Sequence, residues 1–397
     1  MSGPTGLTGS SDLATPPPIE EERAFSYSVE ARDPGSSARL GTFATPHGSL
    51  PTPAFMPVGT RATVKGLLPE QVRQVGTRML LANTYHLALR PGEQIVRELG
   101  GLHRFMGWDG PILTDSGGYQ IFSLAHLTQL SERGARVRSV VDGSIVDLTP
   151  ERAIDIQRAL GADVIMALDH CASSPTDRDA VEHAKARTDR WLARCVQQFR
   201  GGRTDRTPQA LFGIVQGGAF EDLRRESALA TAEHDLPGYA IGGVSVGEQE
   251  SAMHVAVESA VKHLPEDRPR YLMGVGSPRD FLWAIERGVD LFDCVTPTRH
   301  GRNHQAYTRE GRLNLRNQRF AKDPRPVEED CDCPACVQFS RSYLRHLCKS
   351  GEMLAGALLS LHNLRFFHRL MEEVREAIPA GNLAAVRERY QGAADSL

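Results

Sequence analysis

Asp293 closes a short apolar run, Val289 to Phe292, and four residues on come Pro297, Thr298, Arg299, His300 and Arg302 in the stretch FDCVTPTRHGR. A carboxylate can attack or stabilise an electropositive carbon, and neighbouring guanidinium groups can hold phosphate. The same acid can also be a surface residue paired with Arg299, and the stretch taken alone does not separate the two. Further on, Cys331, Cys333 and Cys336 form C-x-C-x2-C, and His362 lies 26 residues beyond the last of them. Three thiolates and an imidazole make a closed tetrahedral set with no open position for a water nucleophile, so the expectation is one structural zinc per chain. An iron-sulfur cluster needs a fourth cysteine, and Cys348 falls within a helical pattern.

These residues need a frame, and the chain supplies a rhythm of short apolar runs alternating with longer amphipathic ones. Eight candidate strands are Pro53 to Val58, Met79 to Asn83, Ile112 to Asp115, Val164 to Asp169, Leu211 to Gln216, Ala240 to Val246, Tyr271 to Val275 and Leu291 to Cys294. Helical patterns between them include Pro150 to Leu160, with Thr149 as N-cap, Thr176 to Phe199 and Glu248 to His263. Alternating strands and helices predict an α/β fold, a (β/α)8 TIM barrel, with an appended C-terminal zinc-binding subdomain over about 320–385. Asn83, Asp115, Asp169, Gln216, Gly243, Gly274 and Asp293 then mark strand C-termini, where such a barrel displays its chemistry. Helix caps are the alternative for Asp115 and Asp169.

The 397 residues suit one large domain with a satellite. Residues 1–22, rich in Gly, Ser, Thr and Pro, read as a disordered tail, 23–385 as the domain and 386–397 as a C-terminal tail. A formal charge of −3 excludes a uniformly basic protein, yet residues 298–325 carry seven Arg and one Lys against two acids. That local excess points to a polyanion site, or to a solvated segment balanced by acids elsewhere. The basic residues Arg341, Arg345 and Lys349 fall at helical spacing, as a phosphate-facing stripe or a solvated face. No run reaches the length of a membrane span and no leader pattern is seen, so a cytoplasmic location is expected.

Assembled, LANTYHL (81–87), TDSGGYQIFSL (114–124), MALDHC (166–171), GIVQGG (213–218), YAIGGVSVGE (239–248), YLMGVG (271–276), FDCVTPTRHGR and CDCPAC with His362 make the chain resemble the tRNA-guanine transglycosylases from about residue 25 to 385. The resemblance implies an enzyme that exchanges the wobble guanine of tRNAs with G-U-N anticodons (those for Asp, Asn, His and Tyr) for 7-aminomethyl-7-deazaguanine in queuosine biosynthesis. It implies Asp293 as the nucleophile that forms a covalent enzyme-RNA intermediate, by the double-displacement logic of a retaining glycosidase, and Asp115 as general acid/base oriented by Asn83. Base binding falls to Ser116, Gly117, Gly118, Asp169, Gln216, Gly243 and Val244, with Tyr119 and Met273 sandwiching a flipped base. RNA contacts fall to Gly274, Val275, Gly276, Ser277, Pro278, Arg279 and Asp280, and to Thr298, Arg299, His300, Gly301 and Arg302. A homodimer is also implied.

Four positions depart from the family's usual residues: His170 for Glu, Val244 for Leu, and Ser277 and Arg279 for the commoner Lys and Asp. At the base's 7-substituent, Val246 and Cys171 match the type that uses the small aminomethyl precursor rather than bulky queuine, with the Val244 carbonyl meeting the amine beside Glu248. Two other classes of function compete. A non-catalytic RNA-binding subunit would lack Asp115 or Asp293, and both are present. A barrel glycosidase would carry an aromatic-rich cleft and leaves the basic stretch and the cysteines without a role.

Overall fold

The computed structural model describes residues 16–139, 142–202, 207–244 and 250–395. An antiparallel sheet comes first, β1 (Ser26–Arg32), β2 (Arg39–Thr45) and β3 (Gly48–Thr52). The barrel strands are β4 (Ala54–Pro57), β5 (Leu80–Ala82) and β6 (Ile112–Thr114). A second antiparallel sheet, β7 (Thr128–Leu130), β8 (Ala135–Arg138) and β9 (Ile145–Leu148), is inserted before the barrel resumes. It continues with β10 (Val164–Met166), β11 (Ala210–Val215), β12 (Gly238–Ile241), β13 (Arg270–Leu272) and β14 (Leu291–Cys294). A hairpin, β15 (Gln305–Thr308) and β16 (Gly311–Asn314), follows.

The eight barrel strands pair in parallel in the order β4-β14-β13-β12-β11-β10-β6-β5, and a parallel bridge between Val58 and Leu81 brings the two ends together. This is the (β/α)8 barrel expected, and each of the eight expected runs contributes its strand. Their residues are buried on both faces, as parallel strands covered by helices must be. Alternation divides them into two packed layers. Met56, Leu81, Leu113, Met166, Phe212, Ile214 and Leu291 fill the barrel interior, whereas Phe55, Leu80, Ile112, Ile165, Leu211 and Phe292 face the helices. The first sheet plugs the N-terminal end of the barrel, where Phe43 packs with its ring centroid 5.9 Å from that of Phe212. The opposite end, at the strand C-termini, is left for the site.

The helix Pro150–Leu160 has the expected bounds, with Thr149 Oγ1 accepting from Arg152 N, and its neighbours run Arg178–Gly201 and Glu250–Val261. The segment after Asp293 differs from expectation. Thr296–Arg302 is a helix, not a loop, because Pro297 sits in its first turn, where the missing N–H costs nothing. Glu20–Ala24 is a 3-10 helix, and the buried Glu22 carboxylate accepts from Arg200 at 3.0 Å through each oxygen, so the disordered tail does not extend to residue 22. At the other end Leu383–Arg389 and Gln391–Asp395 are helical, with Tyr390 and Ala393 buried, where a tail was expected from 386.

The C-terminal unit has its own small core, which begins earlier than 320: Ala306, Leu315, Phe320 and Val327 pack with the cysteines, Leu344 and Leu359. The 28-residue helix Met353–Ala380 belongs to both cores, giving Leu358 and Leu359 to the small one and Phe366, Phe367 and Leu370 to the large one. Two of the three cations of the basic stripe are engaged within the chain, and Lys349 is exposed. Arg341 donates to Asp323 and to the Val327 carbonyl, and Arg345 to Gln318 and the Asn317 carbonyl. No described helix is long and apolar enough to cross a membrane.

Candidate active site

Asp293 is the penultimate residue of β14 and is 8 % exposed. Its Oδ1 accepts from the buried Tyr271 hydroxyl at 2.5 Å and from Gly274 N at 2.8 Å. Burial raises its pKa from the ordinary carboxylate value, and these two donors work against the rise by favouring the charged form. Among the described residues Oδ2 accepts no hydrogen bond, so one oxygen is held and the other is available.

Asp115 lies just beyond β6. Thr84 N donates to its Oδ1 at 2.7 Å, and Asn83 Nδ2 donates to its Oδ2. Asn83 itself is the N-cap of Thr84–Leu89, its Oδ1 accepting from His86 N at 3.1 Å, so the amide is fixed by its helix while it fixes the acid. Desolvation, together with the negative charges of Asp293 and Asp169, raises Asp115 to about 7. It is a carboxyl that exchanges its proton near neutrality.

Asp169, 4 % exposed, accepts from Ser116 Oγ at 3.0 Å and Gln216 Nε2 at 2.8 Å. Burial again raises its pKa. The glycines around it are required by space. A Cβ on Gly118 would lie 2.1 Å from Asp169 Oδ1, and one on Gly243, whose φ is +63°, would lie 2.2 Å from Gln216 Oε1. Gly117 adopts φ +85°, and the Gly118 N–H donates to Ser116 Oγ at 3.0 Å. Val244 is buried, Met273 half-buried and Tyr119 54 % exposed, so the two side chains expected to sandwich a base differ sharply in cover. Gln216 Nε2 is committed to Asp169 and, at 3.5 Å, to Cys171 Sγ, and it must give up one partner before donating to a ligand carbonyl.

The expected RNA-contacting residues separate into two groups. Val275, Ser277, Pro278, Thr298 and Gly301 are buried: Ser277 caps Pro278–Ile285 by accepting from Asp280 N at 3.1 Å, and Gly301 lies against Ser360, where a Cβ would come within 2.6 Å of the Ser360 N. Gly276 has no room for a side chain beside Cys294 Sγ. Gly274, Arg279 and Arg299 are exposed; Asp280, His300 and Arg302 are intermediate. His300 Nδ1 lies 2.9 Å from the Tyr307 hydroxyl. Val246 and Glu248, expected at the base's 7-substituent, lie outside the described residues. The pKa of His170 is lowered to about 4 by burial and then by Arg187, whose guanidinium lies 3.2 Å from its Nδ1.

Three residues of the site escape a reading of the sequence. Tyr271 reads as core, and only its hydroxyl position reveals the bond to Asp293. Thr84 contributes a backbone N–H, which no side chain type announces. Arg224, in the helix Glu221–Ala232, is wholly buried and donates to the carbonyls of Val215 at 3.0 Å, Gly218 at 2.8 Å and Gly242 at 2.7 Å, so one guanidinium ties together the ends of β11 and β12.

The cysteine set converges as expected. Cys331, Cys333 and Cys336 Sγ lie 3.6, 3.6 and 3.2 Å from His362 Nδ1, all buried. Zinc bonds of about 2.3 Å to sulfur and about 2.0 Å to nitrogen at tetrahedral angles put S and N about 3.5 Å apart, so the set fits a metal of that size. His362 Nε2 is 2.7 Å from the Tyr307 carbonyl, which fixes the tautomer that leaves Nδ1 as ligand. The neighbouring Asn363 donates to Pro297 O at 2.9 Å and Gln305 O at 3.0 Å, joining the metal-bearing helix to the helix after Asp293.

A sequence profile of the family described as Queuine tRNA-ribosyltransferase matches residues 33–395. Relatives named Queuine tRNA-ribosyltransferase include that of Pelotomaculum thermopropionicum, 52% identical over 93% of this chain and 100% of its own. Those of Symbiobacterium thermophilum and Thermus thermophilus are 54% and 56% identical, over 92% and 90% of this chain and 91% of each relative.

Proposed function

The chain belongs to the queuine tRNA-ribosyltransferase family, and from that premise we propose that it exchanges the wobble guanine of tRNAs with G-U-N anticodons for 7-aminomethyl-7-deazaguanine through a covalent enzyme-RNA intermediate. The observation that carries this reading is the pair of carboxyls at the ends of β6 and β14, one held near 7 and the other presenting a single unbonded oxygen.

In the first step Asp293 Oδ2 attacks C1′ of the ribose as the C1′–N9 bond breaks, and Asp115 gives its proton to the departing guanine. In the second, the incoming base loses its N9 proton to Asp115, and N9 attacks C1′ and releases the Asp293 carboxylate. The phosphodiester backbone is untouched, and Asp115 ends as it began. Asp169 is suited to accept from the guanine N1–H and 2-amino group, and Gln216, the Gly243 backbone, Ser116, Gly117 and Gly118 complete the pocket with Tyr119 and Met273 on the ring faces. The exposed Arg279 and Arg299 and the half-buried Arg302 are the cations offered to phosphate.

Zinc is the metal whose donor preferences match Cys331, Cys333, Cys336 and His362, with a structural role: it would hold the unit against the helix Met353–Ala380, and no step passes through it. Cys171, buried beside Gln216, narrows the pocket where a base's 7-substituent would lie, which favours the aminomethyl base over queuine. Incubation with unmodified tRNA and radiolabelled guanine tests the reading: label should enter tRNA in the wild type, and a denaturation-stable RNA adduct should form with wild type but not with Asp293→Asn. Absence of exchange, or an adduct in Asp293→Asn, would overturn it.

A further inference from the structure

One side chain of the helix Glu221–Ala232 reaches the ends of two neighbouring barrel strands. Arg224 is wholly buried, and its guanidinium donates through Nε to Gly218 O at 2.8 Å, through Nη1 to Val215 O at 3.0 Å and Gly242 O at 2.7 Å, and through Nη2 to Gly243 O at 3.3 Å. Val215 precedes Gln216 and Gly242 precedes Gly243, so the carbonyls it holds belong to the peptides that carry two base-pocket residues. Ser227, one turn on in the same helix, accepts from Gln216 N at 3.1 Å. The peptide between Val215 and Gln216 is therefore held at both its C=O and its N–H. The approach is close enough to need glycine, since a Cβ on Gly217 would lie 2.7 Å from Arg224 N.

A trans peptide points its C=O and its N–H in opposite directions, and the Gly242–Gly243 and Gly243–Val244 peptides are both trans. With Gly242 O and Gly243 O drawn to the guanidinium, the N–H groups of Gly243 and Val244 are turned to the other side. Among the described residues neither of them donates a hydrogen bond, although Val244 is buried. A buried N–H without an acceptor is costly, and a ligand carbonyl would remove that cost. The place is right for one: a Cβ on Gly242 would lie 3.1 Å from Gln216 Nε2 and 3.6 Å from Met273 Sδ, so the glycine pair borders the base pocket.

We propose that Arg224 is a positioning residue of the base pocket, fixing Gly242 and Gly243 so that the N–H groups of Gly243 and Val244 stand ready for the carbonyl of guanine or of its 7-deaza analogue. This rests on the base exchange proposed above. A planar guanidinium can meet carbonyls from both strand ends at once, whereas the ammonium of a lysine is a point charge on a flexible stem. The donors it sets act on the base and on no phosphate, so the effect falls on base binding and not on tRNA docking.

Base exchange by the full chain should be compared for guanine and thioguanine, which keeps the N1–H and 2-amino group but offers sulfur, a weaker acceptor, in place of the oxygen. In Arg224→Lys, with active sites counted by the RNA adduct, KM for guanine should rise at least about 10-fold, and the preference for guanine over thioguanine should shrink at least about threefold. The Kd for tRNA should stay within about twofold of wild type. A residue that only stabilised the fold would lower the number of active sites and leave KM and the preference unmoved, and that result overturns the assignment. Should the lysine variant not fold, the wild type still decides: exchange of the Gly243 and Val244 amide hydrogens should slow at least about 10-fold with saturating guanine. Amides that guanine leaves unchanged overturn the assignment equally. Either result in a wild type that exchanges guanine counts against Arg224 alone, whereas a wild type without exchange overturns the function as well.

Discussion

The Tyr271 hydroxyl donates to Asp293 Oδ1 at 2.5 Å from inside the barrel, one strand away. The bond does two things. It sets the carboxylate's rotation, leaving Oδ2 outward, and with Gly274 N it offsets the burial that would otherwise keep the acid protonated. Burial also raises the tyrosine's own pKa, so it remains the donor.

Removing that donor in Tyr271→Phe should raise the Asp293 pKa further and move the acid limb of kcat against pH upward by about one pH unit, since a bond to a charged acceptor is worth about 1.5–3 kcal/mol. At pH values on that limb base exchange should fall by up to about 10-fold. An unmoved acid limb would show that the hydroxyl has no part in ionising Asp293.

Gly118→Ala tests the base pocket by space alone. Its Cβ would fall 2.1 Å from Asp169 Oδ1, in a cradle already closed by Ser116 and Gln216. The acid must move, so KM for the free base should rise at least about 10-fold, while the global stability cost stays near 1–3 kcal/mol. A KM within about twofold of wild type would remove Asp169 from base binding.

The eight strands were legible because strands covered on both faces read as unbroken apolar runs, and Asp115, Asp169, Gln216 and Asp293 stood out as the polar residues ending them. The helix Thr296–Arg302 was not, because Pro297 marks a strand's end and a helix's first turn equally well. Nor were Leu383–Arg389 and Gln391–Asp395, whose short amphipathic patterns gain helicity from packing against the rest of the chain. Arg224 reads as one more solvated helix residue, since nothing in a sequence says that four carbonyls, those of Val215, Gly218, Gly242 and Gly243, will meet its guanidinium. Tyr271 was hidden by its own suitability for a core.

Metal removal should reach the catalytic strand. Cys333→Ala, or chelation, should release one zinc per chain and unfold the small core over about 325–365, because binding energy is folding energy in such sites. The helix Met353–Ala380 carries His362 and, one residue on, the Asn363 that bonds Pro297 O, so the loss should pass to Thr296–Arg302. Hydrogen exchange in that helix should quicken by about 10-fold or more. Unchanged protection there after verified loss of the metal would confine the module's role to itself.

The most direct consequence of the electrostatics concerns Asp115, raised from the ordinary 3.8 to about 7. Between those values the folded protein binds the proton and the unfolded chain does not, so stability falls as pH rises through that window and levels off above it. Asp115→Asn keeps the shape and cannot ionise, so it should be more stable than wild type at about pH 8, with the difference gone near pH 4. A rise of that size corresponds to about 4 kcal/mol; partial exposure and the coupling to Asp293 and Asp169 reduce the expected gain to about 1–2 kcal/mol. Catalysis carries the same group with an opposite demand. The acid must hold its proton to release guanine, so single-turnover release of labelled guanine should decline as pH rises through about 7, and Asp115→Asn should abolish turnover while folding more stably. Urea unfolding of both proteins at the two pH values, beside the release profile, checks both halves. A stability difference that does not grow with pH would show that Asp115 does not carry the raised pKa described here.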